Sequence, residues 1–253
     1  MTPTSAMGGL ELGTYEPKIA MALRRYAHPA PAYTVRPETS DWKAIREVWE
    51  RNAYVRRGIA PGPGEMWLDG GANMGAFADL AARCGADVIA YEAEPTNADL
   101  AALNTAGRSV EVRQAALVCD ALEGSATLHV NSTPLGLRRH SLVKARRSSV
   151  PLTVPAHSAT RVIAESGVVG AKLNIEGAEI ALLSTWAPPA CLRALAVEWS
   201  FDVDPSIAVL TATLARLEAA GFQVSTSRKV PEGIAAWPPE WFPPQLYIYA
   251  VRL

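Results

Sequence analysis

Met66-Trp-Leu-Asp-Gly-Gly-Ala-Asn-Met-Gly75 sets the architecture of the chain. A short apolar run, Met66 to Leu68, meets an acid at Asp69 and passes through Gly70, Gly71 and Gly75 into an Ala-rich segment that ends near Cys84. The run predicts a strand and the segment a helix. Glycines between them let the backbone turn tightly and approach a ligand closely. The helix start offers free N–H groups and the positive end of its dipole. Together these predict a nucleotide-like or carboxylate-bearing ligand at the carboxyl edge of a parallel sheet.

On the C-terminal side the same alternation continues. Strands are expected at Val88 to Tyr91, Val110 to Leu117, Ala171 to Ile175, Leu195 to Trp199, Phe222 to Thr226 and Leu246 to Val251. Helices are expected from Pro95 to about Asn104, Ser158 to Glu165, Ala178 to Thr185 and Ile207 to Ala220. Strands alternating with helices predict an α/β fold, a mostly parallel sheet covered by helices on both faces. Residues 126–154 break the pattern with two strand-like pieces around a basic turn, a hairpin-like excursion. Residues 1–60 read as an N-terminal helical extension to a main domain over 61–253. Within it, Pro17 to Tyr26 predicts a short helix, and the prolines of residues 28–37 forbid one. Thr39 or Ser40 caps a further helix whose apolar stripe is Trp42, Ile45, Val48 and Trp49.

The ligand can be narrowed. A dinucleotide turn needs G-x-G-x-x-G, its third glycine packing helix on strand. Here the spacing is Gly70-Gly71-x-x-x-Gly75, directly preceded by an acid. That suits S-adenosylmethionine, which has an amino-acid end and no pyrophosphate. Asp69 is expected to attract its ammonium, and the backbone around Gly71 and Asn73 its carboxylate. Tyr91-Glu92 stands at the end of the next strand, about twenty residues on, where a carboxylate can accept hydrogen bonds from a ribose diol. Glu94 is a nearby rival. A tight turn without a ligand, or a solvated loop acid, is the plain alternative for either feature alone.

At these residues the chain resembles the FkbM-type methyltransferase family. The matching stretches are Leu68-Asp-Gly-Gly-Ala-Asn-Met-Gly75, Ala90-Tyr-Glu-Ala-Glu-Pro95, Gln114-Ala-Ala-Leu117 and Lys172-Leu-Asn-Ile-Glu-Gly-Ala-Glu179, with the helix from Ser40 to Tyr54 as lead-in. The resemblance implies a class I, Rossmann-like methyltransferase sheet of seven strands with the last antiparallel, and methyl transfer to a hydroxyl of a sugar or natural-product scaffold. It implies that Asp69, Gly70, Gly71, Asn73, Gly75, Glu92 and Ala93 hold the cofactor and that Gln114 and Ala115 lie by its adenine. The family usually has aspartate where this chain has Asn174, which removes a negative charge from the expected reaction centre.

A hydroxyl nucleophile benefits from a base. The candidates are Glu176, His140 and His157, with Asn174 and Lys172 as orienting groups. Set against these are plainer readings: Glu176 as a helix cap, His140 in a solvated turn, His157 as structural, Glu179 as a packing acid. Arg138, Arg139, Lys144, Arg146 and Arg147 form a basic patch, read as a solvated hairpin, as a clamp for an acidic or phosphorylated acceptor or, third, as a nucleic-acid surface, against which stands the lack of aromatic residues among the basic ones. Trp237-Pro-Pro-Glu-Trp-Phe-Pro-Pro244 reads as sheet-edge packing or as a lid on the acceptor site.

Composition bounds the rest. The 253 residues are 49% hydrophobic and 19% charged, with a net charge of -1. That is ordinary globular composition, with no global electrostatic case for nucleic acid or an anionic membrane. Cys84, Cys119 and Cys191 are scattered and form no CxxC pair, which argues against a disulfide framework or zinc site and fits a cytoplasmic protein. No metal is expected. Two other classes compete with the methyltransferase: a nicotinamide-dependent oxidoreductase, and a cofactor-binding module of the same fold without turnover.

Overall fold

The computed structural model describes residues 12–56, 58–133, 140–238 and 245–252. In chain order the strands and helices are β1 (Gly13–Tyr15), β2 (Tyr33–Val35), α1 (Asp41–Trp49), β3 (Met66–Gly70), α2 (Ala76–Arg83), β4 (Asp87–Tyr91), α3 (Pro95–Asn104), β5 (Val110–Arg113), β6 (Ala116–Val118), β7 (Gly124–Asn131), β8 (Ser149–Ser158), α4 (Ala159–Ser166), β9 (Gly170–Leu173), α5 (Ala178–Thr185), β10 (Ala194–Ser200), α6 (Ile207–Ala219), β11 (Gln223–Thr226) and β12 (Gln245–Val251).

Seven strands form the central sheet in the order β5-β4-β3-β9-β10-β12-β11. Neighbours from β5 to β10 run parallel, and β12 runs antiparallel to both β10 and β11. This is the sheet expected above, last strand included. The strand order reverses beside β3, so the turn at Asp69–Gly75 sits at the topological switch point, where ligands of open α/β sheets bind.

Alternate residues of the central strands serve opposite cores, as a period of two requires. Leu68, Ile89, Tyr91, Leu173 and Val197 pack on one face with α4, α5 and α6 residues such as Ile163, Leu182 and Leu210. Trp67, Val88, Ala90 and Ala196 pack on the other with Phe77 and Leu80 of α2 and Ile45, Val48 and Trp49 of α1. The N-terminal segment is thus built onto the sheet. Arg36 ties it down through a buried ion pair with Asp41 (2.8 Å) and a hydrogen bond to Asn97 of α3 (2.7 Å).

Some expectations shift. The segment Val110 to Leu117 splits: β5 joins the main sheet, and β6 leaves it to pair parallel with β8, which runs antiparallel to β7. The hairpin-like excursion is therefore one part of a three-stranded sheet. The short helix near residue 20 is a 3-10 turn over Met21–Tyr26. In α1, Ile45, Val48 and Trp49 are buried, but Trp42 lies at the solvent edge of the stripe with the Arg46 guanidinium 5.2 Å over its ring. Ser40 makes no side-chain cap; Thr39 Oγ1 accepts from Asp41 N instead. Among the described residues no helix is long and apolar enough to cross a membrane.

Candidate functional site

A cavity of about 540 Å³ opens at the carboxyl edge of the sheet. One end is lined by Gly71, Asn73, Tyr91, Glu92, Ala93 and Ala115, the other by Glu47, Tyr54, Asn174, Glu176 and Glu198.

The turn after β3 is fixed by its backbone. The N–H groups of Gly71 and Ala72 both donate to Tyr91 O at 2.9 Å, and Asn174 N donates to Gly70 O at 2.9 Å. Gly71 has φ +72°, and a Cβ there would stand 1.8 Å from Asn174 O. Only glycine fits this contact between the β3 turn and the residue after β9. Asn73 also adopts a left-handed conformation, φ +52°, which asparagine tolerates better than most residues. Its Oδ1 is buried, faces no hydrogen-bond partner among the described residues, and belongs to a residue lining the cavity. Gly70 and Gly75 serve packing instead. A Cβ on Gly70 would meet Leu173 and Leu117, and one on Gly75 would meet Thr105 and Ala101 of α3. Both glycines lie beneath the cavity and do not line it.

Glu92 lines the cavity and is locked to the turn. Its Oε2 accepts from Asn73 N (2.8 Å) and its Oε1 from Glu94 N (2.9 Å). Burial pushes its carboxyl up to about 7, and the two backbone donors and Lys172 offset only part of that. Each oxygen keeps acceptor capacity for a ligand hydroxyl. The Glu94 side chain is used elsewhere; it caps α3 by accepting from Asn97 N at 2.7 Å. Ala93 and Ala115 line the cavity, but Gln114 is solvent-exposed and does not. It stands in the tight turn between β5 and β6, closed by Ala115 N donating to Arg113 O at 2.9 Å.

Asp69 is fully buried and outside the cavity lining. The Lys172 ammonium donates to Asp69 Oδ1 (2.9 Å), Gly70 O (3.2 Å) and Gly71 O (2.7 Å). An ammonium has three hydrogens, so Lys172 is saturated by the turn it supports. The pair holds the turn in place from below.

At the far end, residues distant in sequence converge. Asn174 Nδ2 donates to Glu198 Oε2 at 2.7 Å and lies 3.2 Å from Tyr54 OH. Tyr54 OH also contacts Glu198 Oε2 (3.0 Å) and Glu47 Oε1 (2.5 Å), and Tyr247 OH donates to Glu47 Oε1 (2.8 Å). Burial, then the Glu47 and Glu198 charges, hold the Tyr54 phenol well above its usual range. Glu198 thus brings a buried carboxyl group against the Asn174 amide at this end of the cavity. Neither Glu47, Tyr54 nor Glu198 was expected from the sequence. The available signal was an acid inside the apolar strand Ala194-Leu-Ala-Val-Glu-Trp-Ser200 and another beside the buried stripe of α1.

The other candidates fall as follows. Glu176 lines the cavity with φ +51°; its Oε2 lies 3.6 Å from Arg146, and the α5 cap is Gly177, not Glu176. His140 is buried and lines the cavity, so it is no solvated turn residue. Its Nδ1 accepts from Asn131 N at 3.0 Å, which puts the proton of the neutral ring on Nε2. His157 Nδ1 lies 3.1 Å from Tyr91 OH, a structural contact. Glu179 is a buried packing acid that accepts from Gly177 N (2.8 Å) and Ser200 N (2.9 Å) and joins α5 to β10. Arg146 pairs with Asp202 at 3.1 Å, and Lys144 contacts Asp202 too, so these two cations fasten the small sheet to the loop after β10. Arg138 and Arg139 lie outside the described residues. So does most of the proline-rich stretch; its first residue, Trp237, stacks on Phe201 at 4.2 Å. Among the described residues no group of three or more His, Cys, Asp or Glu is placed to hold a metal ion.

Fold and cavity define a doubly wound α/β protein with a ligand site at its switch point, able to take a diol at Glu92 and a polar group at Glu198. No family model matches the chain, and no curated protein matches it. Solved structures similar to it include a SAM-dependent methyltransferase from Agrobacterium tumefaciens (9% identity over 100% of this chain and 73% of that one, TM-score 0.47). A fibrillarin pre-rRNA processing protein from Methanococcus jannaschii matches at 10% identity over 82% and 76% (TM-score 0.45). A SAM-dependent O-methyltransferase from Thermotoga maritima matches at 16% over 88% and 74% (TM-score 0.37). Likenesses of this degree do not tell one activity from another.

Proposed function

We propose that the protein is an S-adenosylmethionine-dependent methyltransferase of the FkbM type that methylates a hydroxyl on a small metabolite. The observation that carries this reading is the bond from Asn73 N to Glu92, which makes the glycine turn and the diol-accepting carboxylate one receptor. Its chemistry fits this cofactor. Asn73 Oδ1 is a buried acceptor in need of a donor, and the cofactor's ammonium is one. Lys172, the cation nearest the turn, has its three hydrogens committed, so it offers nothing to a pyrophosphate.

When bound, the cofactor supplies a methyl group on a sulfonium. The chain's own residues do the rest. Glu92 and Asn73 hold the nucleoside and amino-acid ends. Tyr91, Ala115 and Leu117 supply apolar wall. Asn174 and Glu198 receive and orient the acceptor hydroxyl, which is where positioning and electrostatics lower the barrier. A cavity of about 540 Å³ is within the range of small-molecule sites, which favours a small acceptor. A panel of sugars and hydroxylated scaffolds incubated with methyl-labelled cofactor checks the reading. Label on at least one hydroxyl is expected; cofactor binding with no transfer to any acceptor would instead make the protein a binding module.

A further inference from the structure

The acid pair at the far end of the cavity poses a problem of hydrogen count. Tyr54 OH lies 2.5 Å from Glu47 Oε1 and 3.0 Å from Glu198 Oε2. A phenol has one hydrogen to donate. The Tyr247 hydroxyl spends its own on Glu47, and Asn174 donates to Glu198. With both acids ionised, one of the two Tyr54 contacts sets oxygen lone pairs against each other. Both acids are only 7% exposed, and like charges so placed do not both ionise readily. One extra proton on the pair turns each of these Tyr54, Tyr247 and Asn174 contacts into a donor–acceptor bond.

We propose that Glu47 and Glu198 hold one proton in common through Tyr54, and that this pair takes up the proton released by the acceptor hydroxyl. The second half rests on the methyltransferase reading. Methylating a neutral hydroxyl releases one proton. An oxygen lone pair forms the new O–C bond, the C–S bond breaks with its pair kept by sulfur, and the O–H pair stays on oxygen. The sulfonium becomes a neutral thioether, and the proton goes to Glu198. The pair then passes from one negative charge to none and returns a proton to solvent once product has left. Other ionisable groups stand around the same space: Lys172 from β9, its ammonium 5.4 Å from the Tyr54 ring, Tyr247 from β12, hydrogen-bonded to Glu47, Lys43 and Arg51 at α1 and just beyond, Glu176 after β9, and Glu92 and His140 elsewhere in the cavity lining. Asn174 suits the arrangement because an aspartate there would set a third acid against Glu198.

Carbon-13 NMR of the full chain labelled at glutamate Cδ, followed from pH 5 to 9, tests the shared proton. Two resonances are expected to respond together in two separate steps, as coupled sites do. In Glu47→Gln and in Glu198→Gln the surviving acid titrates in one step, and the upper step falls by more than one pH unit. In Tyr54→Phe the mutual response weakens, so the test survives if a Gln variant fails to fold. Two acids that titrate independently in the wild type, each indifferent to loss of the other, overturn the proposal. Calorimetry with S-adenosylhomocysteine on the same sample separates the two readings. Binding with independent acids sinks the shared proton alone. No binding sinks the methyltransferase reading and with it the pair's role toward an acceptor, whatever the NMR shows.

Discussion

Burial pushes the Glu92 carboxyl up to about 7, and this gives cofactor capture a pH dependence. The folded state holds the Glu92 proton more tightly than the unfolded chain, whose glutamates titrate near 4.3. Its contribution to stability is therefore complete below about pH 4, and it is lost as pH rises through 7. A ribose diol donates to the ionised form, so affinity for S-adenosylhomocysteine should rise between pH 6 and 8, with a proton released on binding near 6.5. Glu92→Gln should flatten that rise. Glu92→Ala should weaken binding at least tenfold, since each hydrogen bond to a charged group contributes about 1.5–3 kcal/mol; unchanged affinity would show that the ribose lies elsewhere. Lys172→Met should cost about 3–5 kcal/mol by stranding the buried Asp69 charge, read from urea midpoints, with Asp69→Asn recovering part of the loss in the double variant. At this scale the sequence pointed to Gly71, Asn73 and Glu92, three residues of the cavity lining, because each stands in a local pattern, a glycine turn or a strand-end acid. Glu47, Tyr54 and Glu198 were not legible. Their contact spans up to 151 residues (Glu47 to Glu198), and no spacing rule connects a helix at 41–49 with the end of β10. Asp69 was legible as part of the turn, but the Lys172 ammonium beneath it was not.

Between elements, the tightest constraint is where the β3 turn meets the residue after β9. Gly71→Ala forces a Cβ against Asn174 O and a strained φ together, so it should destabilise by about 3 kcal/mol or more. A drop in thermal midpoint of roughly 6–12 °C by circular dichroism follows, and a midpoint within about 2 °C of wild type would show that the turn is looser than drawn. The strands and helices from β3 to β12 were readable because their apolar runs are long and their stops are glycines. The break between β5 and β6 was not. Val110 to Leu117 reads as one strand until β8 captures Ala116–Val118 for the small sheet, a tertiary choice that local propensity does not encode.

Taken as a whole, the molecule has two cores on one sheet, and residues 12–56 build much of one of them. Ile45, Val48, Trp49 and Tyr54 are buried there, each contributing roughly 1.5–3 kcal/mol. Removing residues 1–60 also removes Glu47 and Tyr54 from the cavity. The shortened chain should lose its cooperative unfolding transition and aggregate; a monomeric, cooperatively folding fragment would mark the N-terminal segment as an accessory. Every functional assignment made above depends on the cavity taking S-adenosylmethionine and not a dinucleotide. Isothermal titration of the intact protein with S-adenosylhomocysteine and, separately, with NAD decides between the two. One-to-one binding of S-adenosylhomocysteine with no heat from NAD is expected, while tight NAD binding with none to S-adenosylhomocysteine would refute the assignment.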